Sequence, residues 1–190
     1  MERIPLAKPY WDEECERAAI DALSSGRWVK GPQAKQFGEE FAEWCGAISA
    51  VPCQSGSAAL WAAMRILDIG PGDEVIVPGM TFIATATSVS LVGATPVFAD
   101  IEEDYWCICP DDVEAKITDR TKAVIGVHIF GQTFSPRLKE ICQRHNIALV
   151  EDAAQAHGAS LDGVKAGAIG DIACFSFFPS KNMAVGGEGG

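Results

Sequence analysis

From residue 48 onward, short apolar runs alternate with stretches whose apolar positions recur every three or four residues. The first pattern fits buried strands, and the second fits helices packed on one face. Strands are expected at 48–51, 74–77, 95–98, 123–127, 148–150 and 172–175, with helices at 57–67, 83–91, 110–117 and 136–145. Repeated strand–helix–strand order predicts an α/β fold: a mostly parallel sheet flanked by helices, with right-handed crossovers. Upstream, residues 10–23 show helical spacing around Asp12, Glu13, Glu14 and Glu16, acids suited to a helix's first turn. Ser24-Ser25-Gly26 ends that helix, and an aromatic loop follows, Arg27-Trp28-Val29-Lys30-Gly31. Pro32 then opens a second helix reaching Trp44. Phe37, Phe41 and Trp44 share one face of it and are expected in the core, whereas Trp28 suits a subunit contact. Residues 1–47 therefore read as a helical segment ahead of an α/β domain over 48–190.

Residues 75–99 hold no charged side chain, long enough to raise the question of a membrane span. Pro78, Gly79, Gly93 and Pro96 divide the stretch into a loop, a short helix and a strand instead. The 190 residues suffice for one well-buried domain, and 48% hydrophobic with 22% charged residues is a globular composition. A net charge of -11 argues against nucleic acid or an anionic membrane as main partner. It does not exclude a phosphate held by a local nest of amides. Seven scattered cysteines without a CxxC pair, and only three histidines, argue against a disulfide framework or a metal site. Met1-Glu2-Arg3-Ile4-Pro5 lacks the apolar core of a signal peptide, so a cytoplasmic protein is expected.

Candidate chemistry collects just past the expected strands, where open α/β sheets bind ligands. Leu149-Val150 runs into Glu151-Asp152-Ala153-Ala154-Gln155, and Phe175-Ser176-Phe177-Phe178-Pro179 into Ser180-Lys181. An acid and an amine leaving two such strands suit pyridoxal phosphate, held by Lys as a Schiff base with Asp on its ring nitrogen. Capping of a following helix by Glu151 and Asp152 is the plainer alternative. Cys53-Gln54-Ser55-Gly56-Ser57 opens a helix with free amides and two hydroxyls, a place for phosphate. Ser57 is the expected N-cap when no ligand is bound. No Gly-Lys-Ser/Thr follows, so this is not a Walker loop. Phe82 is placed to stack on a planar ring, with core packing as the alternative. His128 and Gln132 follow the strand at 123–127 and stand to reach the same crevice, at the ligand or one hydrogen bond behind it.

Together, Ser55-Gly56-Ser57, Gly79-Met80-Thr81-Phe82, Glu151-Asp152-Ala153-Ala154-Gln155 and Phe178-Pro179-Ser180-Lys181 resemble the DegT/DnrJ/EryC1/StrS family. These are pyridoxal-phosphate sugar aminotransferases of fold type I. The resemblance runs from Ser25-Gly26-Arg27-Trp28 to Gly186-Gly187-Glu188-Gly189-Gly190. It implies Lys181 as the lysine that attaches the cofactor and shuttles a proton, and Asp152 as the partner of its ring nitrogen. Those two are the implied catalytic residues. Further cofactor contacts are implied at Gln155 for the phenolic oxygen, at Phe82 for the ring face, and at Ser55, Gly56, Ser57 and Ser176 for the phosphate. Ser57 stands where the family more often has Thr. Some relatives carry His in place of the lysine and act as dehydratases, so Lys181 favours transamination. The implied reaction moves an amino group from an amino acid, glutamate foremost, to a nucleotide-linked keto-sugar, in a homodimer with shared active sites. Family members run to roughly twice this length, so the rest of the large domain and a small domain are expected to be missing here. The alternative is a non-catalytic, truncated remnant of the fold or an interaction module; a fold type I lyase is more distant.

Overall fold

The computed structural model describes residues 4–5, 7–29 and 31–190. Lys30 of the aromatic loop and residues 1–3, both read above, lie outside them. Its helices are α1 (Glu13–Ser24), α2 (Pro32–Cys45), α3 (Gly56–Ile66), α4 (Ala84–Leu91), α5 (Pro110–Ala115) and α6 (Arg137–His145). Its strands are β1 (Glu74–Pro78), β2 (Thr95–Ala99), β3 (Thr121–Val127), β4 (Ala148–Asp152), β5 (Ser160–Leu161), β6 (Val164–Lys165) and β7 (Ile172–Cys174). Among the described residues, five strands form one sheet in the order β2-β1-β3-β4-β7, every pair parallel. The chain steps from β1 outward to β2 and then back across to β3. That reversal opens a crevice at the carboxyl ends.

The pleat divides the core in two. Val75, Val77, Ile125, Val150 and Cys174 pack with Leu60 and Met64 of α3 and Val89 of α4. Ile76, Val124 and Leu149 pack with Val113 of α5 and with Leu138 and Ile141 of α6. Alternate residues serve opposite faces, which is why these strands read as unbroken apolar runs. A third cluster joins Phe41 and Cys45 of α2 to Phe175 and Phe177, with Phe37 against it. Asp12 caps α1, accepting from the amides of Glu14 and Cys15, so that helix starts three residues later than expected. Among the described residues, no helix is long and apolar enough to cross a membrane.

Three expectations need correction. Residues 48–51 form no strand, and Ile48 and Val51 are 105% and 85% exposed. A strand exists only when paired, and among the described residues no ladder lies beside this segment. Its neighbour Cys53 does exchange two backbone hydrogen bonds with Gly190, at 2.8 and 3.1 Å. Trp44 is not core: it is 42% exposed, and the Lys165 ammonium lies 4.7 Å from its ring centroid while donating to the Trp44 carbonyl. The hairpin of β5 and β6 was not anticipated, although Asp162 and Gly163 both have positive φ at its turn.

Candidate active site

The end of β4 presents its two acids to opposite faces of the sheet, as the pleat requires. Glu151 turns toward the α5–α6 side and is fully buried. Its carboxylate accepts from the amides of Gly167 (2.9 Å), Ile169 (2.9 Å) and Gly170 (2.7 Å), and from His128 Nε2 (2.8 Å). His128 is stacked on Phe134, and its Nδ1 faces the Phe134 amide at 3.4 Å. Burial pushes the Glu151 pKa up, but the bonds from His128, Gly167 and Gly170 together hold it below the usual value. Four donors on one carboxylate make this a structural latch, and neither acid caps a helix. Gln132 bonds back to the Thr133 carbonyl.

Asp152 faces the other side. Its Oδ2 accepts from Thr85 Oγ1 at 2.7 Å and its Oδ1 from the Ala154 amide at 3.2 Å. Burial raises its pKa; Thr85, Ala154, Lys181 and His128 pull against that. Among the described residues, both donors to the carboxylate are neutral groups, and Lys181, which lines the same cavity, forms no ion pair with it. A buried carboxylate so placed is chemically matched to a cation entering from the cavity.

At the first turn of α3 the N-cap is Ser55, not Ser57: its backbone is extended, and its hydroxyl accepts from the Ala58 amide at 3.2 Å. The helix begins one residue earlier than expected, which moves Ser57 inside it. The amides of Gly56 and Ser57 precede the first intrahelical bond, from Ala59 to the Ser55 carbonyl, and point out of the helix start. A Cβ on Gly56 would lie 2.8 Å from Ser176 Cβ and 3.1 Å from the Phe175 carbonyl. Only glycine lets this helix start approach the end of β7 so closely.

All eight residues expected to touch a cofactor line one cavity of about 420 Å3: Ser55, Gly56, Ser57, Phe82, Asp152, Gln155, Ser176 and Lys181. That volume falls in the range of small-molecule sites. Phe82 is 69% exposed at its rim, so core packing does not account for it. Gln155 Oε1 accepts from the Phe130 amide at 2.9 Å, which leaves its NH2 group as the free donor. Ser176 is buried beside the helix start. His128 and Gln132 do not line the cavity. Sequence reasoning missed Thr81, Ser180 and Glu188 in the lining, and Thr85 behind it. It also missed His157, whose ring sits 5.3 Å from both Phe175 and Phe177. Neither His157 nitrogen makes a hydrogen bond, and burial lowers its pKa to about 4.

Sheet order, a buried acid, a lysine and an amide-rich helix start define an open α/β domain with its ligand site at the carboxyl edge. The chain belongs to the DegT/DnrJ/EryC1/StrS aminotransferase family, which matches it over residues 9–190. It is 47% identical, over 88% of its length and 46% of the relative's, to a UDP-N-acetyl-3-dehydro-alpha-D-glucosamine 3-aminotransferase of Acidithiobacillus ferrooxidans. It is 46% identical, over 99% of its length and 51% of the relative's, to a dTDP-3-amino-3,4,6-trideoxy-alpha-D-glucose transaminase of Streptomyces venezuelae. Among solved structures it resembles Spr1654 of Streptococcus pneumoniae, in the PLP-form and the PMP-form. The TM-score is 0.95 at 32% identity, over 99% of this chain and 51–52% of that one. The chain thus spans about half the length of the curated relatives it matches.

Proposed function

We propose that this chain is the cofactor-binding part of an aminotransferase that uses pyridoxal 5'-phosphate. It passes an amino group from an amino acid, glutamate foremost, to a nucleotide-linked keto-sugar. What carries this reading is the single cavity shared by acid, amine, ring and helix start. Residues 48–190 supply the α/β domain and 1–47 the helical segment before it. The protein is cytoplasmic and works as a homodimer with active sites shared between subunits, the exposed Trp28 loop serving that contact.

The residues present fit the cofactor. Asp152 would meet the ring nitrogen with its carboxylate, whose protein donors, Thr85 and Ala154, are both neutral. The amides of Gly56 and Ser57 and the Ser176 hydroxyl bind the phosphate, and the α3 dipole adds positive potential there. Ser55 stands beside them with its hydroxyl engaged in the cap. Gln155 would donate from its NH2 group to the phenolic oxygen, and Phe82 would cover the ring face. When bound, the cofactor supplies an electron sink for the carbon that loses its proton. Lys181 Nζ would hold the cofactor through its aldehyde and, once the donor's amine has displaced it, would be the free amine that takes up and returns the Cα proton.

Gly56→Ala is expected to weaken pyridoxal-phosphate binding at least about tenfold in a spectrophotometric titration, because the added methyl separates α3 from Ser176. The function itself is tested by the donor half-reaction. L-glutamate added to the protein with pyridoxal phosphate should release an equivalent of 2-oxoglutarate and convert the cofactor to its amine form. Cofactor binding without 2-oxoglutarate from any amino acid would favour the non-catalytic remnant or interaction module.

A further inference from the structure

We propose that Thr81 and Thr85 form a hydroxyl relay that keeps Asp152 ionised and aimed into the cavity, which makes Thr85 a positioning residue for the reaction. The inference rests on the reading of Asp152 as the acid that meets the ring nitrogen. Thr85 is fully buried at the start of α4, and its Oγ1 lies 2.7 Å from Asp152 Oδ2 and 2.7 Å from Thr81 Oγ1. A carboxylate can only accept, so the single proton of Thr85 goes to Asp152. Thr85 must then accept from Thr81, and the direction of the chain is fixed. Thr81 lines the cavity, so the relay runs from the cavity wall to the back of the acid. The Ala154 amide holds the other carboxylate oxygen, and the two donors together fix the plane of the group.

The setting makes this hydroxyl count. Lys181 and Glu188 line the same cavity as Asp152 and the neutral Cys174 thiol lies beside it on β7, while His128 and Glu151 meet each other on the opposite face. α4 brings no charged side chain at all. Burial works to protonate Asp152, and the Thr85 hydroxyl is the strongest of the influences against it. Without that hydroxyl the acid takes up a proton more readily. A protonated Asp152 no longer offers the ring nitrogen a negative charge.

The test is a carbon-13 NMR titration of the aspartate carboxyls in the unliganded protein, for Thr85→Val, Thr85→Ser and Thr81→Val. Thr85→Val should raise the proton affinity of Asp152 at least about tenfold. Thr85→Ser should restore it, and Thr81→Val should shift it the same way by about twofold. An unchanged Asp152 titration in folded Thr85→Val, or a Ser variant that behaves like Val, overturns the relay. If Thr85→Val does not fold, Thr85→Ala removes the same hydroxyl and is held to the same outcome. Titrating pyridoxal phosphate into these proteins separates the two readings. Weaker binding in Thr85→Val, rescued by Ser, supports both. A shifted Asp152 with unchanged cofactor affinity and unchanged pH dependence of its absorption leaves the relay standing and overturns Asp152 as the ring-nitrogen partner.

Discussion

Lys181→Ala should abolish the absorption band of protein-attached pyridoxal phosphate and lower amine transfer from glutamate by about 10^3-fold or more. The lysine sits in the turn after β7, where its amide bonds to the Phe178 carbonyl at 2.8 Å, and its side chain lines the cavity with Asp152. Among the described residues, no other lysine or arginine lines that cavity. Loss of the band should leave the proposed phosphate and ring contacts in place, since the substitution does not touch Gly56, Ser57, Ser176 or Phe82. Equilibrium dialysis of Lys181→Ala should therefore still detect reversible cofactor binding. An undiminished band in the variant would move the attachment point elsewhere and undo the assignment.

The largest effect on stability is expected from Glu151→Ala, about 4 kcal/mol by chemical denaturation. The substitution takes the acceptor from three backbone amides and from the buried His128 ring. Glu151→Gln should also destabilise, because its NH2 group would confront donors where the carboxylate accepted. The pH dependence has a definite sign. The folded pKa of Glu151 lies below its unfolded value, so its stabilisation is fully present above the unfolded value, about 4.3, and is lost as pH falls through the folded pKa. The stability gap between the native protein and Glu151→Ala should therefore be constant near neutral pH and narrow in acid. A gap that stayed level down to acid unfolding would show that the charge on Glu151 does not matter.

Much of this was legible in the residues because burial on both faces leaves so plain a trace. The apolar runs of β1, β3 and β4 mark their strands to within a residue or two, since polar residues fall only toward the ends of these strands, at Glu74, at Thr121 and Lys122, and at Glu151 and Asp152. The candidate site was legible in part for a related reason: Phe82 comes after β1, Asp152 and Gln155 come at or just past the end of β4, and Ser176 and Lys181 come after β7. Ser55, Gly56 and Ser57, in contrast, were placed by a strand that does not form. What failed, failed physically. Residues 48–51 have the composition of a strand, but pairing is supplied from outside the segment. Asp162-Gly163 was a readable hairpin signal, overlooked because each flanking strand is only two residues long. Thr85 gave no warning, because a threonine among small apolar residues resembles any other helix position until the fold sets it against an acid 67 residues away. His128 was placed after the right strand, but pleat parity turned it toward the far face, to Glu151 rather than to the ligand.

The adjacency of Glu151 and Asp152 also acts as a folding check on β4. In a strand, a slip of one position exchanges the faces of every side chain. Here a slip in one direction would set Val150 where Glu151 accepts from Gly167, Ile169 and Gly170, and a slip in the other would set Ala153 where Asp152 accepts from Thr85. Hydrophobic matching alone cannot police this error, because Leu149 and Val150 are both apolar and would bury about equally well in either frame. Either slip would put an apolar side chain where a carboxylate now accepts and leave its donors without an acceptor. Two acids in succession, each with its own donors, therefore favour the frame in which the central sheet closes.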